Sequence, residues 1–185
     1  MIAVAVMAAS GGYFLAMILA PGSAQRQAQP SGISATAMAE EQVQDMLGQR
    51  RPDFTLRNSA GAAVSAADFD GSILLVNFWA TWCTPCVEEM PMLSALRERY
   101  EQQNVEIVGI ALDDPQKAGD FAEQLNIAYP VLLGTTDAIL VGRQFGNRAG
   151  MLPYSVLLDR AGLIQWTHLG ALDREELEAQ IQALF

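Results

Sequence analysis

A run of seven mostly apolar residues, Ile73–Trp79, is followed closely by Cys83 and Cys86, the only two cysteines of the 185-residue chain. The near-continuous apolar character of the run is typical of a strand in the middle of a sheet that is covered on both faces. The segment after Cys83 predicts a helix that runs toward Tyr100. We therefore expect a buried strand that leads into a helix beginning at the cysteine pair.

The spacing of the two cysteines, C-x-x-C, predicts thiol–disulfide chemistry. Cys83 would lie at the helix N-terminus, where unpaired backbone N–H groups favour a thiolate, so we expect it to be the nucleophile. Cys86 would lie roughly one turn later on the same face, and we expect it to be the resolving thiol. Pro85 suits the first turn and stiffens the dithiol loop. An inert structural disulfide is the alternative, but such a bridge normally closes a longer loop.

Strand and helix patterns alternate from Arg51 to the C-terminus, which predicts an α/β domain. One hairpin is expected around residues 58–61 and another around residues 159–162, where turn-forming residues separate apolar runs. Asp173 is expected to cap the final amphipathic helix. Parallel strands with crossover helices, followed by a terminal antiparallel hairpin, leave few topologies.

The N-terminal segment predicts a membrane or export signal. Residues 2–20 are uncharged and mostly apolar, close to the length that a helix needs to span a bilayer. We interpret residues 1–24 as a transmembrane anchor, with a signal segment cleaved after Ala24 as the alternative. Residues 25–49 are rich in Ala, Gln, Ser and Gly and predict a flexible linker. Residues 50–185 would then form the globular domain.

The charge of the chain excludes one class of partner. It carries 11 Lys and Arg against 21 Asp and Glu, a net charge of −10. Nucleic-acid-binding domains carry a basic surface, so no nucleic acid is expected as a partner. A dithiol behind an export segment would lie in an oxidising compartment, where a reducing role needs a dedicated electron supply.

Four motifs together carry a family resemblance: PDFTL at residues 52–56, VNFWATWCTPC at 76–86, EMP at 89–91, and LP at 152–153 followed by a strand and Asp159. Through them, residues 52–185 resemble the TlpA/ResA-type, membrane-anchored branch of the thioredoxin superfamily. The resemblance implies a thioredoxin-like fold, in which helices flank a central mixed sheet. It also implies extra N-terminal strands and an inserted strand and helix before the later proline.

The resemblance also implies a substrate-binding surface. Pro153 would be a cis-proline that packs against the dithiol, and the backbone of Leu152 would meet a bound substrate strand. Tyr154 replaces the threonine often found after that proline, which leaves the substrate preference at this edge open. Trp82 would belong to the recognition surface and shield the sulfur atoms from solvent, with simple packing as the alternative. Pro85 is assigned to the same surface.

Glu89 matches the acidic residue that this branch buries beneath its cysteines. It lies one helical turn beyond Cys86 on the same face. A carboxyl group in apolar surroundings has a raised pKa and can take the proton of Cys86. An exposed charge is the alternative, which suits the neighbouring Glu88 better. Asn77 occupies the place of the buried acid of thioredoxins, so Glu89 is the main acid–base candidate. His168, the only histidine, is interpreted as structural.

We expect an enzyme, a protein disulfide reductase in which Cys83 attacks a disulfide of an exported protein and Cys86 resolves the mixed disulfide. The resemblance suggests apocytochrome c as a client during cytochrome c maturation, and a membrane thiol–disulfide carrier as the electron donor. A Cu(I)-handling module for oxidase assembly is an alternative, since soft thiolates suit that ion. A disulfide oxidant or isomerase is another.

No cofactor and no metal site are expected. A thiol peroxidase would need proline and threonine or serine where Val76 and Ala80 stand. Covalent haem attachment would need a histidine at Val87. Structural zinc would need more ligands than the chain supplies.

Overall fold

The computed structural model of the protein describes residues 46–185. The predicted anchor or signal segment and most of the predicted linker lie outside these residues. Within them the elements alternate as the sequence predicts, and two short 3-10 helices, Ala66–Phe69 and Glu101–Gln103, join them. The strands are β1 (Thr55–Asn58), β2 (Ala63–Ser65), β3 (Ile73–Trp79), β4 (Val105–Leu112), β5 (Val131–Gly134), β6 (Tyr154–Leu158) and β7 (Ile164–Leu169). The helices are α1 (Thr84–Tyr100), α2 (Pro115–Gln124), α3 (Thr136–Gln144) and α4 (Arg174–Gln182).

The strands form one mixed sheet in the order β2-β1-β5-β4-β3-β6-β7. β3, β4 and β5 are parallel, as expected for strands joined by crossover helices. β6 runs antiparallel to β3 and forms the terminal hairpin with β7, while β1 and β2 form the N-terminal hairpin. β5 and α3 form the strand and helix inserted before β6. The sheet, the added N-terminal strands and the insertion agree with the predicted thioredoxin-like fold.

β3 is an interior strand between β4 and β6, and all seven of its residues are buried. Successive side chains of a strand point to opposite faces, so β3 contributes to two cores. Leu75 and Trp79 pack in a core with side chains of α1, α2 and α4, on what we call the α1 face. Val76 and Phe78 pack on the other face with side chains of α3. The active-site helix is therefore anchored on the strand that precedes it.

The start of α1 follows from its first residues. Cys83 is the N-cap and has an extended backbone. Pro85 lies in the first turn, where N–H groups have no acceptor within the helix, so a proline costs no hydrogen bond there. Pro91 lies inside α1 without ending it. Asp114 caps α2 by accepting a hydrogen bond of 2.9 Å from the Lys117 N–H. Asp173 caps α4 in the same way, as predicted.

The first described residues contact the start of β7. The Gly48 N–H donates to the Ile164 carbonyl at 2.7 Å, and the Ile164 N–H donates to the Gln49 carbonyl at 2.9 Å. In the part of the chain that the structure describes, no helix is both long enough and apolar enough to span a bilayer.

Candidate active site

Cys83 and Cys86 are joined by a disulfide, with their Cα atoms 5.3 Å apart. The structure therefore represents the oxidised protein. Cys86 lies inside the first turn of α1 and is fully buried, whereas Cys83 precedes the helix and keeps 5% of its surface accessible. The difference in exposure favours Cys83 as the sulfur that meets a partner and Cys86 as the sulfur that attacks from within.

Trp82 and Pro85 lie at the surface beside the disulfide. The side chain of Trp82 is 65% exposed, so simple packing does not explain this residue. Pro85 is also exposed. An exposed tryptophan beside a reactive sulfur suits contact with a protein partner, and this recognition role stays a prediction. Trp79, in contrast, is fully buried in the core of the α1 face.

Glu89 is a buried carboxyl group one turn beyond Cys86 on α1, with 5% of its surface exposed. Oε1 accepts a hydrogen bond of 2.8 Å from Asn77 Nδ2, and Oε2 accepts one of 3.0 Å from the Leu172 N–H. Burial raises the pKa of Glu89 above its ordinary value, and the two hydrogen bonds offset only part of that rise. The buried position and the raised pKa agree with the prediction from the sequence.

Asn77 links Glu89 to the sheet. Its Nδ2 also lies 3.1 Å from Ser155 Oγ, and the two residues are paired across β3 and β6. The sequence alone indicated only that Asn77 replaces an acid, whereas the structure shows that it donates to the acid of the neighbouring helix. Ser155, a fully buried polar residue in an apolar strand, is a signal that sequence reasoning missed. Leu172 acts through its backbone, which no side-chain pattern reveals.

Asp113 holds the loop that leads to the disulfide, whereas the sequence predicted it only as part of the segment that caps the next helix. Its Oδ2 accepts hydrogen bonds from the Thr81 N–H at 2.9 Å and from Thr81 Oγ1 at 2.6 Å. The two segments meet because β3 and β4 are parallel and their carboxyl ends lie at one edge of the sheet. Burial acts to raise the pKa of Asp113, but the hydrogen bonds from Thr81 and the Asp114 N–H outweigh it, so the pKa is lowered.

The peptide bond between Leu152 and Pro153 is cis, as the resemblance implies. Leu152 is half-buried and Pro153 is buried. The loop before them is held by Asn147, a buried residue that the sequence did not single out. Asn147 Nδ2 donates to the Met151 carbonyl at 2.8 Å, and the Met151 N–H donates to Asn147 Oδ1 at 2.9 Å. The side chain thus fixes the backbone that would present Leu152 to a substrate.

Tyr154 belongs to the core rather than to an exposed edge. Its side chain is fully buried, and its hydroxyl donates to the Phe145 carbonyl at the end of α3, at 2.8 Å. The replacement of threonine by Tyr154 therefore changes the packing behind the proline loop. His168 stacks on Trp166, and its Nε2 lies 3.1 Å from the Ala171 carbonyl, which fits the structural role expected from the sequence.

A thioredoxin-like fold with a C-x-x-C disulfide at the start of a helix and a buried carboxyl group one turn later defines a thiol–disulfide oxidoreductase. Residues 47–167 match the model of the AhpC/TSA family, and the chain belongs to this family. It is 30% identical over 139 residues to the thiol-disulfide oxidoreductase ResA of Geobacillus kaustophilus, with 75% of this chain and 78% of that protein covered. It is also 30% identical over 138 residues to the thioredoxin-like protein YneN of Bacillus subtilis, with 72% and 78% covered.

A solved structure agrees with these relatives. The putative thiol:disulfide interchange protein DsbE from Chlorobium tepidum superposes with a TM-score of 0.69 at 30% identity, covering 75% of this chain and 96% of that one. The resemblance stated from the sequence is confirmed, and the protein is a disulfide redox enzyme of the ResA and DsbE type.

Proposed function

We propose that this enzyme reduces disulfides of exported proteins outside the cytoplasm, and that apocytochrome c is one of its clients. The observation that carries the reductive chemistry is the position of Glu89, a buried carboxyl group with a raised pKa one turn beyond Cys86. A base at this place acts on the buried thiol, and the deprotonation of that thiol completes the reduction of a client.

The reaction begins with the reduced enzyme. The Cys83 thiolate, favoured by the N-terminus of α1, attacks one sulfur of a client disulfide. A bond forms between Cys83 and the client, the client disulfide breaks, and one client thiolate leaves. The mixed disulfide then holds the client against the surface formed by Trp82, Pro85, Leu152 and Pro153.

The second step uses the buried pair. Cys86 gives its thiol proton to the Glu89 carboxylate, and the resulting thiolate attacks the sulfur of Cys83. The bond between Cys83 and Cys86 forms, the mixed disulfide breaks, and the second client thiolate leaves and takes up a proton. The enzyme loses two electrons, and the client gains two. A membrane thiol–disulfide carrier then returns the enzyme to the dithiol by the reverse exchange.

The sequence of the N-terminal segment supports the proposed location. Residues 2–20 have the length and apolar character of an anchor or of an export signal. Export would bring the domain into an oxidising space, where disulfides form in clients that need free thiols. Apocytochrome c is such a client because its haem-binding cysteines must be reduced before attachment. Intact cells treated with a membrane-impermeant maleimide after mild reduction should label Cys83 without lysis, and labelling only after lysis would contradict the location.

Trapping identifies the client. A Cys86→Ser variant keeps the attacking sulfur but cannot resolve the mixed disulfide, so clients should remain bound to Cys83 when the variant is expressed in its native host. We expect apocytochrome c among the proteins released by reductant, and none of them from a Cys83→Ser/Cys86→Ser control. If only other exported proteins are captured, the proposed reductase activity would stand, but apocytochrome c would be rejected as a client.

A redox titration decides the direction of electron flow. A reductase should have a reduction potential near that of the reducing thioredoxins, about −270 mV. A value near that of strong oxidants, about −120 mV, would reject the reductase in favour of a disulfide oxidant. Stoichiometric Cu(I) binding by the dithiol without client reduction would support a metal-handling module instead.

A further inference from the structure

Three buried polar atoms beside the active site have no hydrogen-bond partner among residues 46–185: Asn77 Oδ1, Trp79 Nε1 and Tyr129 Oη. Buried polar groups are nearly always paired within the protein or with an ordered water. Three such groups in one region therefore point to a bound water rather than to three independent defects.

The three residues that carry these atoms lie around Gly109 of β4. Gly109 is paired with Asn77 across β3 and β4. A Cβ atom at Gly109 would lie 3.0 Å from Tyr129 Cε2 and 3.2 Å from Trp79 Nε1. The glycine thus lets a tyrosine ring and an indole N–H lie close to β4 on the α1 face of the sheet. A side chain at this position would crowd the tyrosine ring and the indole N–H.

The same region contains Glu89. Asn77 donates to Glu89 Oε1 at 2.8 Å, so the amide joins the carboxyl group to the residues around Gly109. Burial raises the pKa of Tyr129, and the charge of Glu89 raises it further, which places the tyrosine hydroxyl in the field of the carboxylate.

The titratable groups that face Glu89 are few within the described part of the chain. The loop before β5 contributes Tyr129, and α1 contributes Cys86 only once the disulfide is reduced. The other neighbours are neutral: Asn77 from β3, and the Leu172 N–H from the loop before α4. Tyr129 is therefore the ionisable neighbour that can respond to the charge of Glu89.

We propose that an ordered water lies among Asn77 Oδ1, Trp79 Nε1 and Tyr129 Oη, and that Tyr129 donates a hydrogen bond through this water to the Glu89 carboxylate. The water would accept from Trp79 Nε1–H and from the Tyr129 hydroxyl. It would donate to Asn77 Oδ1 and to Glu89, whose oxygens each retain acceptor capacity. Four partners are within the range that buried waters make, and all three orphaned atoms are satisfied.

The consequence for the reaction rests on the proposed role of Glu89. A hydrogen bond to the ionised form of a carboxyl group favours that form and counteracts the effect of burial. Tyr129 is thus a positioning residue that keeps a fraction of Glu89 ionised and able to take the proton of Cys86. Its proposed effect on the reaction passes through Glu89.

The test is the Tyr129→Phe variant, which keeps the ring and removes only the hydroxyl. The matched control is Tyr100→Phe, because the hydroxyl of Tyr100 contacts Glu178 and Gln182 at α4. The titration of Glu89 is followed by carbon NMR of its carboxyl group in the oxidised protein. We expect the Glu89 titration to move to higher pH in Tyr129→Phe and to stay unchanged in Tyr100→Phe. An unchanged titration in Tyr129→Phe would overturn the proposal.

Two further measurements separate this role from general packing. The resolution of a mixed disulfide at neutral pH should slow about two- to tenfold in Tyr129→Phe, the range of one hydrogen bond. The same change made in a Glu89→Gln background should have no further effect, and a persisting effect would overturn the proposal.

A nuclear Overhauser effect from water to the Trp79 indole proton should be present in the wild type, and its absence would reject the water. If the protein reduces no client at all, the proposed function fails while the titration still decides this inference.

Discussion

Asn77 Nδ2 lies 2.8 Å from Glu89 Oε1, and this hydrogen bond connects the strand that precedes the active site with the helix that follows it. The Asn77 amide donates to the carboxyl group but brings no positive charge, and the other donor, the Leu172 N–H, is also neutral. Glu89 therefore keeps a raised pKa and remains able to exchange a proton. An arginine or lysine in the place of Asn77 would hold the carboxylate permanently ionised.

The Glu89→Gln variant should slow the resolution of mixed disulfides about a hundredfold near neutral pH, because general base catalysis contributes on that order. The first attack by Cys83 should change much less. Rapid-quench measurement of mixed-disulfide release from a peptide client separates the two steps. Glu88→Gln is the matched control, since Glu88 is adjacent and exposed. Equal resolution rates in the two variants would exclude Glu89 as the base.

The stability of the oxidised protein should depend on pH through Glu89. Its pKa in the folded protein is raised above the ordinary 4.5, so the folded state binds the proton more tightly than the unfolded chain does. The resulting stabilisation is fully present below the ordinary pKa and is lost as the pH rises through the raised pKa. Urea unfolding from acidic to neutral pH should show this decline in the wild type and a weaker one in Glu89→Gln. Parallel curves for both proteins would contradict it.

Thr81→Val should destabilise the protein by about 1–2 kcal/mol, because Asp113 would lose the hydroxyl donor at 2.6 Å while remaining partly buried. The pKa of Asp113 is lowered in the folded state, so this contribution is present above its ordinary pKa and is lost as the pH falls through the lowered pKa. The difference in unfolding free energy between the variant and the wild type should therefore shrink in acid. Thr55→Val, at an exposed position of β1, is the control and should be nearly neutral.

Asn147→Ala should weaken the binding of protein clients about tenfold, because the loop before Leu152 loses both hydrogen bonds that fix it. The KM for a protein disulfide should rise with little change in kcat, while the reduction of a small disulfide that needs no backbone contact should stay unchanged. Arg148→Ala, the exposed neighbour, serves as the control. An equal loss with small and protein disulfides would indicate damage to the dithiol itself instead of a loosened binding loop.

The sequence by itself determined the local elements and the residues that are close along the chain. The apolar pattern of Ile73–Trp79 predicted a buried interior strand, and the C-x-x-C spacing predicted the helix boundary and the pairing of Cys83 with Cys86. The position of Glu89 also followed from local geometry, because a helix returns to the same face about every turn. These features depend on the periodicity of one element, so a single sequence is enough to place them.

The tertiary structure decided which distant groups complete the site. Glu89 receives its hydrogen bonds from Asn77, 12 positions before it, and from Leu172, 83 positions after it. The order of the strands in the sheet likewise decides which groups become neighbours of Asn147, of Asp113 and of the unpartnered atoms near Gly109. Buried polar groups pair with whatever the packing brings within about 3 Å, and that neighbour has no fixed spacing in the sequence.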